Sequence, residues 1–132
     1  MTFAPLIIST WSFSLRANAA AWPALAGGGS SLDAVESACR FAEDDVEVDS
    51  VGYGGLPDRD GAVTLDACVM LAPGRCGSVA AVRRRPAVTI ARAVMERTSH
   101  VTLAGDGADR FADEIGVTSR DLLADRARAR WL

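Results

Sequence analysis

The chain has 132 residues, of which 49% are apolar and 23% are charged, and its formal net charge is −3. These values are ordinary for a globular domain and exclude a disordered or fibrous chain. The acidic balance argues against nucleic acid or an anionic membrane as a partner, because such partners require a basic face.

Cysteine usage and hydropathy give expectations about cofactors and compartment. Cys39, Cys68 and Cys76 are odd in number and form no CxxC pair, so we expect free buried thiols and neither a disulfide framework nor a zinc site. No apolar run approaches the roughly 18 residues of a membrane span, and the N-terminus has no secretory pattern. We therefore predict a cytoplasmic protein.

The first predicted elements are a strand and two helices. The apolar run at Leu6–Ile8 predicts a short buried strand. Apolar residues at helical spacing follow between positions 15 and 25, and the glycines at 27–29 are expected to end that helix. Ser30 or Ser31 can cap the second helix.

The rest of the chain is predicted as a long loop followed by a hairpin and mixed elements. The loop spans residues 44–61 and is acidic and rich in glycine, which is typical of functional loops. The later elements are strands at 63–71 and 77–82 joined by a Pro73-Gly74 turn, a helix after Pro86, a strand at 101–104, and helices from 105 and 119. The helix after Pro86 is predicted to have an apolar stripe of Val88, Ala91 and Met95. Because strands and helices do not alternate strictly, the sequence predicts an α+β fold with the hairpin at its centre.

Three features that often signal chemistry have simpler structural explanations here. His100 is the only histidine and has no nucleophile elbow near it, so a structural or solvent-exposed position is favoured. Residues 105–108 could cradle an anion at a helix start, but they lack a complete phosphate-binding motif, and Asp106 fits better as a helix cap. The Arg83-Arg84-Arg85 run is expected to form a solvated rim.

Two other features bear more directly on function. Positions 50–55 read SVGYGG, and so many glycines indicate either unusual backbone conformations or close approach to a ligand. A plain surface loop is an equally good interpretation of this composition. Trp11 directly follows the first predicted strand, where an indole can wall a pocket, although packing in the core is the commoner outcome.

Taken together, these segments resemble the α-subunit region of the glycosylasparaginases (aspartylglucosaminidases), which are N-terminal-nucleophile hydrolases. The resemblance runs in consistent order and spacing from about Pro5 to Gly116. The matching stretches are 5–13 with Thr10-Trp11, 26–36, SVGYGGLPD at 50–58, VTLDACVM at 63–70, 77–79, 91–96 and 98–108. The resemblance implies that residues 1–132 form a single α-subunit-like region, half of a four-layer αββα sandwich whose β-subunit-like half is absent.

The resemblance also implies an amidohydrolase mechanism. In this family a precursor cuts itself before a threonine, and the new α-amino group acts as base for the threonine hydroxyl. The substrate is a small asparagine derivative, whose side-chain amide is attacked while an oxyanion hole stabilises the intermediate. The nucleophile follows an aspartate, and this chain contains no Asp-Thr dipeptide, so we expect no catalytic residue in it and no activity from it alone. Thr2, which removal of Met1 would expose, lies away from the family's nucleophile position.

The resemblance also implies supporting roles for individual residues of this chain. Trp11 matches a tryptophan that lines the family's substrate pocket, and Ser50 matches a serine that can hydrogen-bond the threonine. Asp66 lies in the matching strand and is interpreted as structural support. The loop that holds the serine would be shaped by three glycines, Gly52, Gly54 and Gly55. No metal or cofactor is implied.

Several alternatives stay open. One is the L-asparaginase and isoaspartyl peptidase branch, although that branch carries Asn-Ala-Gly where this chain has SVGYGG. Another is a non-catalytic remnant that acts only in protein–protein interaction, and a third is a small anion-binding module at residues 105–108. In the leading interpretation, the missing half leaves a sheet edge and an apolar face uncovered. We therefore expect an oligomer, or a chain that depends on a β-subunit-like partner carrying the threonine.

Overall fold

Five α-helices, one 3-10 turn and a three-stranded sheet form the computed structural model, which describes residues 4–72 and 74–132. The elements are α1 (Ser14–Ala26), α2 (Ser31–Asp44), the 3-10 turn (Gly52–Gly54), β1 (Leu65–Leu71), β2 (Arg75–Val82), α3 (Ala87–Arg97), β3 (Thr102–Ala104), α4 (Gly105–Glu114) and α5 (Asp125–Trp131). The predicted α+β class is therefore confirmed. Thr2 and Pro73 lie outside the described residues.

The predicted hairpin forms the larger part of the sheet. β1 and β2 pair antiparallel, with Leu71 opposite Arg75, and β3 pairs parallel to β2, giving the strand order β1-β2-β3. The register shifts between Leu65 and Ala67. Near this irregularity, the backbone N–H of Ala81 donates a hydrogen bond of 2.7 Å to the carboxylate of Asp66. Asp66 thus supports Ala81, whose φ of 51° is unfavourable for a residue with a side chain.

The main core lies between the sheet and α3. Leu65, Val79 and Ile90 are buried there, and the predicted α3 stripe of Val88, Ala91 and Met95 is buried as well. β2 and α3 approach so closely that a Cβ at Gly77 would lie 2.3 Å from the carbonyl oxygen of Ala91. Glycine at this position therefore allows the backbone of the helix to contact the backbone of the strand.

The predicted boundaries of the first two helices are confirmed by local geometry. α1 ends at Ala26, and the left-handed conformation that follows it belongs to Gly28, with φ of 88°. The Ser30 hydroxyl accepts a hydrogen bond of 3.0 Å from the Asp33 N–H and caps α2. α1 contacts α2, and α2 in turn contacts α3 and the 3-10 turn. No helix in the described residues is long and apolar enough to cross a membrane.

Two predicted elements are wrong. Leu6–Ile8 is not a strand, and its Leu6 and Ile8 side chains are 74% and 83% exposed, because none of the described strands pairs with it. A strand requires a neighbour for its backbone hydrogen bonds, and composition alone does not reveal one. The last helix begins at Asp125 and not at Ser119, since the Ser119 carbonyl accepts the Arg85 N–H at 3.2 Å in an isolated bridge.

The expectation of buried thiols is also wrong. All three cysteines are free, but Cys39 and Cys68 are exposed, and Cys76 is half-buried. Cys68 alternates along β1 with the buried Val69 and therefore points away from α3.

Candidate functional site

A cavity of about 400 Å³ brings together the two side chains that the sequence singled out, Trp11 and Ser50. It lies between α1, α2, β1 and the loop that precedes the 3-10 turn. The remaining residues around it are mostly small or apolar, with one buried carboxylate, that of Glu43. Such a concave, largely apolar site with a few convergent polar groups is the usual form of a small-molecule site.

Trp11 lies just before the N-terminus of α1 and is exposed to solvent. Its carbonyl accepts the Ser14 N–H at 3.0 Å, which fixes the turn before the helix. The indole is 67% exposed and stacks with the Phe13 ring at a centroid distance of 6.3 Å and an interplanar angle of 5°. Trp11 is therefore not a core residue, and its aromatic surface is available to a ligand or a partner.

The SVGYGG segment is a tight loop whose glycines are required by close backbone contacts. Gly52 has a φ of 69°, and a Cβ there would lie 2.2 Å from the Glu43 carbonyl oxygen. A Cβ at Gly54 would lie 2.5 Å from the Val48 carbonyl oxygen, and one at Gly55 would lie 3.0 Å from that of Gly52. All three glycines are buried, so the plain surface loop is wrong as an interpretation of this segment.

Glu43 is a site residue that sequence reasoning missed. Its side chain is 4% exposed, and its carboxylate accepts hydrogen bonds from the N–H groups of Ala87 at 2.6 Å and Val88 at 3.0 Å. Burial raises the pKa of Glu43, and the two amide donors oppose that shift. One feature of the sequence indicates a need for such an acceptor. A helix that follows Pro86 has no side chain of its own to cap its first turn.

The expectation of a solvated arginine rim is wrong for Arg84. Its guanidinium is buried and forms a bidentate pair with Asp113, with N–O distances of 2.7 and 2.9 Å. Arg83 binds Asp109 through both its backbone N–H, at 2.7 Å, and its side chain, at 2.8 Å. The signal was the spacing of Asp106, Asp109 and Asp113, which places three carboxylates on one side of α4.

Arg85 links three separate segments next to the loop. Its guanidinium lies 4.6 Å from the centroid of the Tyr53 ring, pairs with Asp44 and donates to the Asp121 carbonyl at 2.8 Å. The Tyr53 carbonyl accepts the Ala124 N–H at 3.1 Å. These contacts hold the 3-10 turn between the end of α2 and the segment before α5.

The remaining predicted features lie away from the cavity. His100 is exposed, as expected, and its backbone N–H donates to the Thr98 hydroxyl at 3.0 Å. Residues 105–108 begin α4, and Asp106 does not cap that helix but pairs with Arg83, because α4 starts directly beside the end of β2. Among the described residues, no group of three or more His, Cys, Asp or Glu side chains is placed to hold a metal ion.

Known proteins are similar to this chain over most of its length. The family model described as asparaginase matches residues 8–132. The N(4)-(beta-N-acetylglucosaminyl)-L-asparaginase of Elizabethkingia miricola is 50% identical over 128 residues, covering 96% of this chain and 38% of the relative. The enzymes of the same name from Rattus norvegicus and Mus musculus are 44% and 43% identical, and each match covers 36% of the relative.

The chain therefore belongs to the asparaginase family, and the predicted resemblance to the glycosylasparaginases is confirmed. It spans little more than a third of the length of these relatives, 36–38%.

Proposed function

We propose that this chain is the α-subunit-like part of an amidohydrolase that cleaves the side-chain amide of glycosylated asparagine. The nucleophilic threonine would come from a β-subunit-like part, freed by autoproteolysis. The observation that carries this proposal is the shared cavity, because Trp11 and Ser50 are separated along the chain and yet line the same concave surface. The names and the partial coverage of the relatives support it independently.

Each residue of this chain would have a positioning role in that reaction. The exposed indole of Trp11 would form an apolar wall for the asparagine moiety. The Ser50 hydroxyl would hydrogen-bond the incoming threonine, whose own α-amino group serves as base. Both roles orient reacting groups without forming or breaking a bond, which is how positioning residues lower an activation barrier.

Exposed apolar surface supports the need for a second part. Leu6, Ile8 and Met70 are between 74% and 83% exposed, and both β1 and β3 are edge strands of the described sheet. Such surface promotes pairing with another polypeptide. We propose that a β-subunit-like part covers it, completes a four-layer αββα sandwich and favours an oligomer. The free thiols suit a reducing compartment such as the cytoplasm.

The proposal is tested by joining this chain to the C-terminal portion of the Elizabethkingia miricola relative, and we call the product the completed protein. It should release aspartate from N4-(β-N-acetylglucosaminyl)-asparagine, whereas the chain alone should not. Equal or higher turnover of free asparagine or isoaspartyl dipeptides would favour the asparaginase and isoaspartyl peptidase branch. A completed protein that processes itself but cleaves none of these amides would contradict both and favour a non-catalytic remnant.

A further inference from the structure

Glu43 differs from the other buried charged side chains in the described part of the chain, because it forms no ion pair there. Arg84 and Asp109, which are buried to a similar degree, pair with opposite charges. The Glu43 carboxylate instead accepts two backbone N–H bonds, from Ala87 and Val88. A buried carboxylate is costly unless its oxygens are hydrogen-bonded, and the start of a helix is a favourable place for its charge.

The first turn of α3 depends on this distant acceptor. Pro86 occupies the N-cap position and its side chain makes no capping bond. The first N–H groups of a helix have no partner within the helix, so an acceptor has to come from elsewhere. Glu43 supplies it from the last turn of α2 and thereby joins the end of α2 to the beginning of α3.

The backbone of Glu43 is joined just as closely to the loop that carries Ser50. A Cβ built at Gly52 would lie 2.2 Å from the Glu43 carbonyl oxygen and 2.4 Å from its Cα. Since Gly52 follows Ser50 by two positions, the loop that carries Ser50 packs directly against the backbone of Glu43. Glu43 and Ser50 also line the same cavity.

We propose that Glu43 is a positioning residue: by binding the start of α3, it fixes the end of α2 against which the Ser50 loop packs, and so sets where the Ser50 hydroxyl lies in the cavity. This inference rests on the proposed function for its kinetic consequence. Each Glu43 oxygen accepts a backbone N–H of α3, so the role proposed for the carboxylate is to hold α3 and to act on the reaction through Ser50. Arg85 also joins the end of α2 to the Ser50 loop, because it contacts both Asp44 and Tyr53.

The test uses Glu43→Gln in the completed protein. The amide keeps the size of the side chain but replaces one acceptor oxygen with an NH₂ group that faces a backbone donor. We expect kcat to fall about 10- to 100-fold, because misplacement of about 1 Å can cost about 100-fold, and KM to change less. Glu43→Asp keeps the charge on a shorter side chain, and its kcat should lie between that of Glu43→Gln and that of the natural residue. Glu114→Gln, on the exposed end of α4, is the matched control and should leave kcat unchanged.

A double-mutant cycle separates positioning from a general loss of stability. If Glu43 acts through Ser50, Glu43→Gln should lower kcat by no more than about threefold once Ser50→Ala is present, because coupled residues are not additive. If the two losses multiply, Glu43 does not act through Ser50 and the inference is overturned.

A third measurement keeps the inference independent of the proposed function. Hydrogen exchange of the completed protein reports on the loop bonds from Gly55 N–H to Gly52, at 3.1 Å, and from Leu56 N–H to Asp49, at 3.2 Å. Glu43→Gln should accelerate exchange at both amides at least as much as at the first turn of α3. If the natural completed protein cleaves no amide, the proposed function fails, but accelerated exchange still supports positioning. Unchanged exchange at both loop amides overturns it whatever the activity.

Discussion

The two faces of the sheet differ in how completely the described residues cover them. Leu65, Val69 and Val79 point toward α3 and are 2–3% exposed, whereas Met70 on β1 points the other way and is 75% exposed. α3 packs against the covered face. On the open face Met70 stays largely exposed, as do Leu6 and Ile8 near the N-terminus. This contrast teaches that burial in the described sheet is one-sided, and that apolar side chains remain accessible on the side away from α3.

The largest expected effect comes from deleting side-chain volume on the covered face. Ile90 is completely buried, so Ile90→Ala should lower the free energy of unfolding by about 2–5 kcal/mol. Met70→Ala on the open face should change it by no more than about 0.5 kcal/mol in the chain alone. Urea denaturation of both variants checks the difference. In the completed protein the Met70 substitution should become clearly destabilising, and an unchanged effect there would contradict the proposal that a second part covers this face.

A backbone comparison should give the next largest effect. Gly28 and Gly52 both have positive φ, at 88° and 69°, but a Cβ at Gly28 would meet nothing within 4 Å. Gly28→Ala should therefore cost only the conformational penalty of about 1–2 kcal/mol. Gly52→Ala adds a clash with the Glu43 backbone, and we expect a total of about 3 kcal/mol. Thermal unfolding measures both, and equal losses would mean that the loop can move away from α2.

Sequence reasoning succeeded where the determinants of structure are local. The Ser30 cap, the hairpin and the α3 stripe follow from residues that are near one another along the chain, and all three are present. Spacing and propensity are sufficient there because the contacts are made within one element or between adjacent ones.

Sequence reasoning failed where the partner is distant. The Leu6–Ile8 run has strand composition but no neighbour in the described sheet, and the Arg83-Arg84-Arg85 run is ordered by carboxylates on α4. Glu43 was overlooked because its role depends on the first turn of α3, in a different part of the chain. For the candidate site, family resemblance pointed to Trp11 and Ser50, but composition could not show that they share a cavity.

Arg83 and Arg84 form ion pairs with the carboxylates of α4, and we call this group the arginine network. Substitution in it should have an effect of intermediate size on stability. Arg84→Met should lower the free energy of unfolding by about 1–3 kcal/mol, because the buried Asp109 loses a nearby positive charge and Asp113 loses a bidentate partner. Arg59→Met, which disrupts an exposed pair with Asp60, is the matched control and should have no measurable effect. Similar losses of unfolding free energy for the two variants would mean that Arg84 behaves as part of a solvated rim.

The same network predicts a pH dependence. Arg84 holds the pKa of Asp113 below its usual range, mainly through their hydrogen bonds. A carboxyl whose pKa is lowered by folding contributes stability above its unfolded pKa, about 3.9, and loses that contribution as the pH falls through the folded value. Unfolding measured between about pH 2 and pH 5 should therefore show a shallower acid limb in Arg84→Met than in the natural chain. Parallel acid limbs would show that the pair does not contribute to acid sensitivity.

The smallest effect on stability is expected on the open side, at the residue with the clearest proposed role in binding. Trp11 is 67% exposed, so Trp11→Ala should leave the unfolding free energy nearly unchanged. In the completed protein it should lower kcat/KM about tenfold, because an aromatic contact is worth about 0.5–1.5 kcal/mol and tenfold corresponds to about 1.4 kcal/mol. Trp22 on α1 is the matched control, since it is 43% exposed and does not line the cavity. Trp22→Ala should reverse the pattern, with a larger loss of stability and unchanged kinetics. If both substitutions alter kcat/KM equally, the effect is a general one on α1 and Trp11 does not line the substrate pocket.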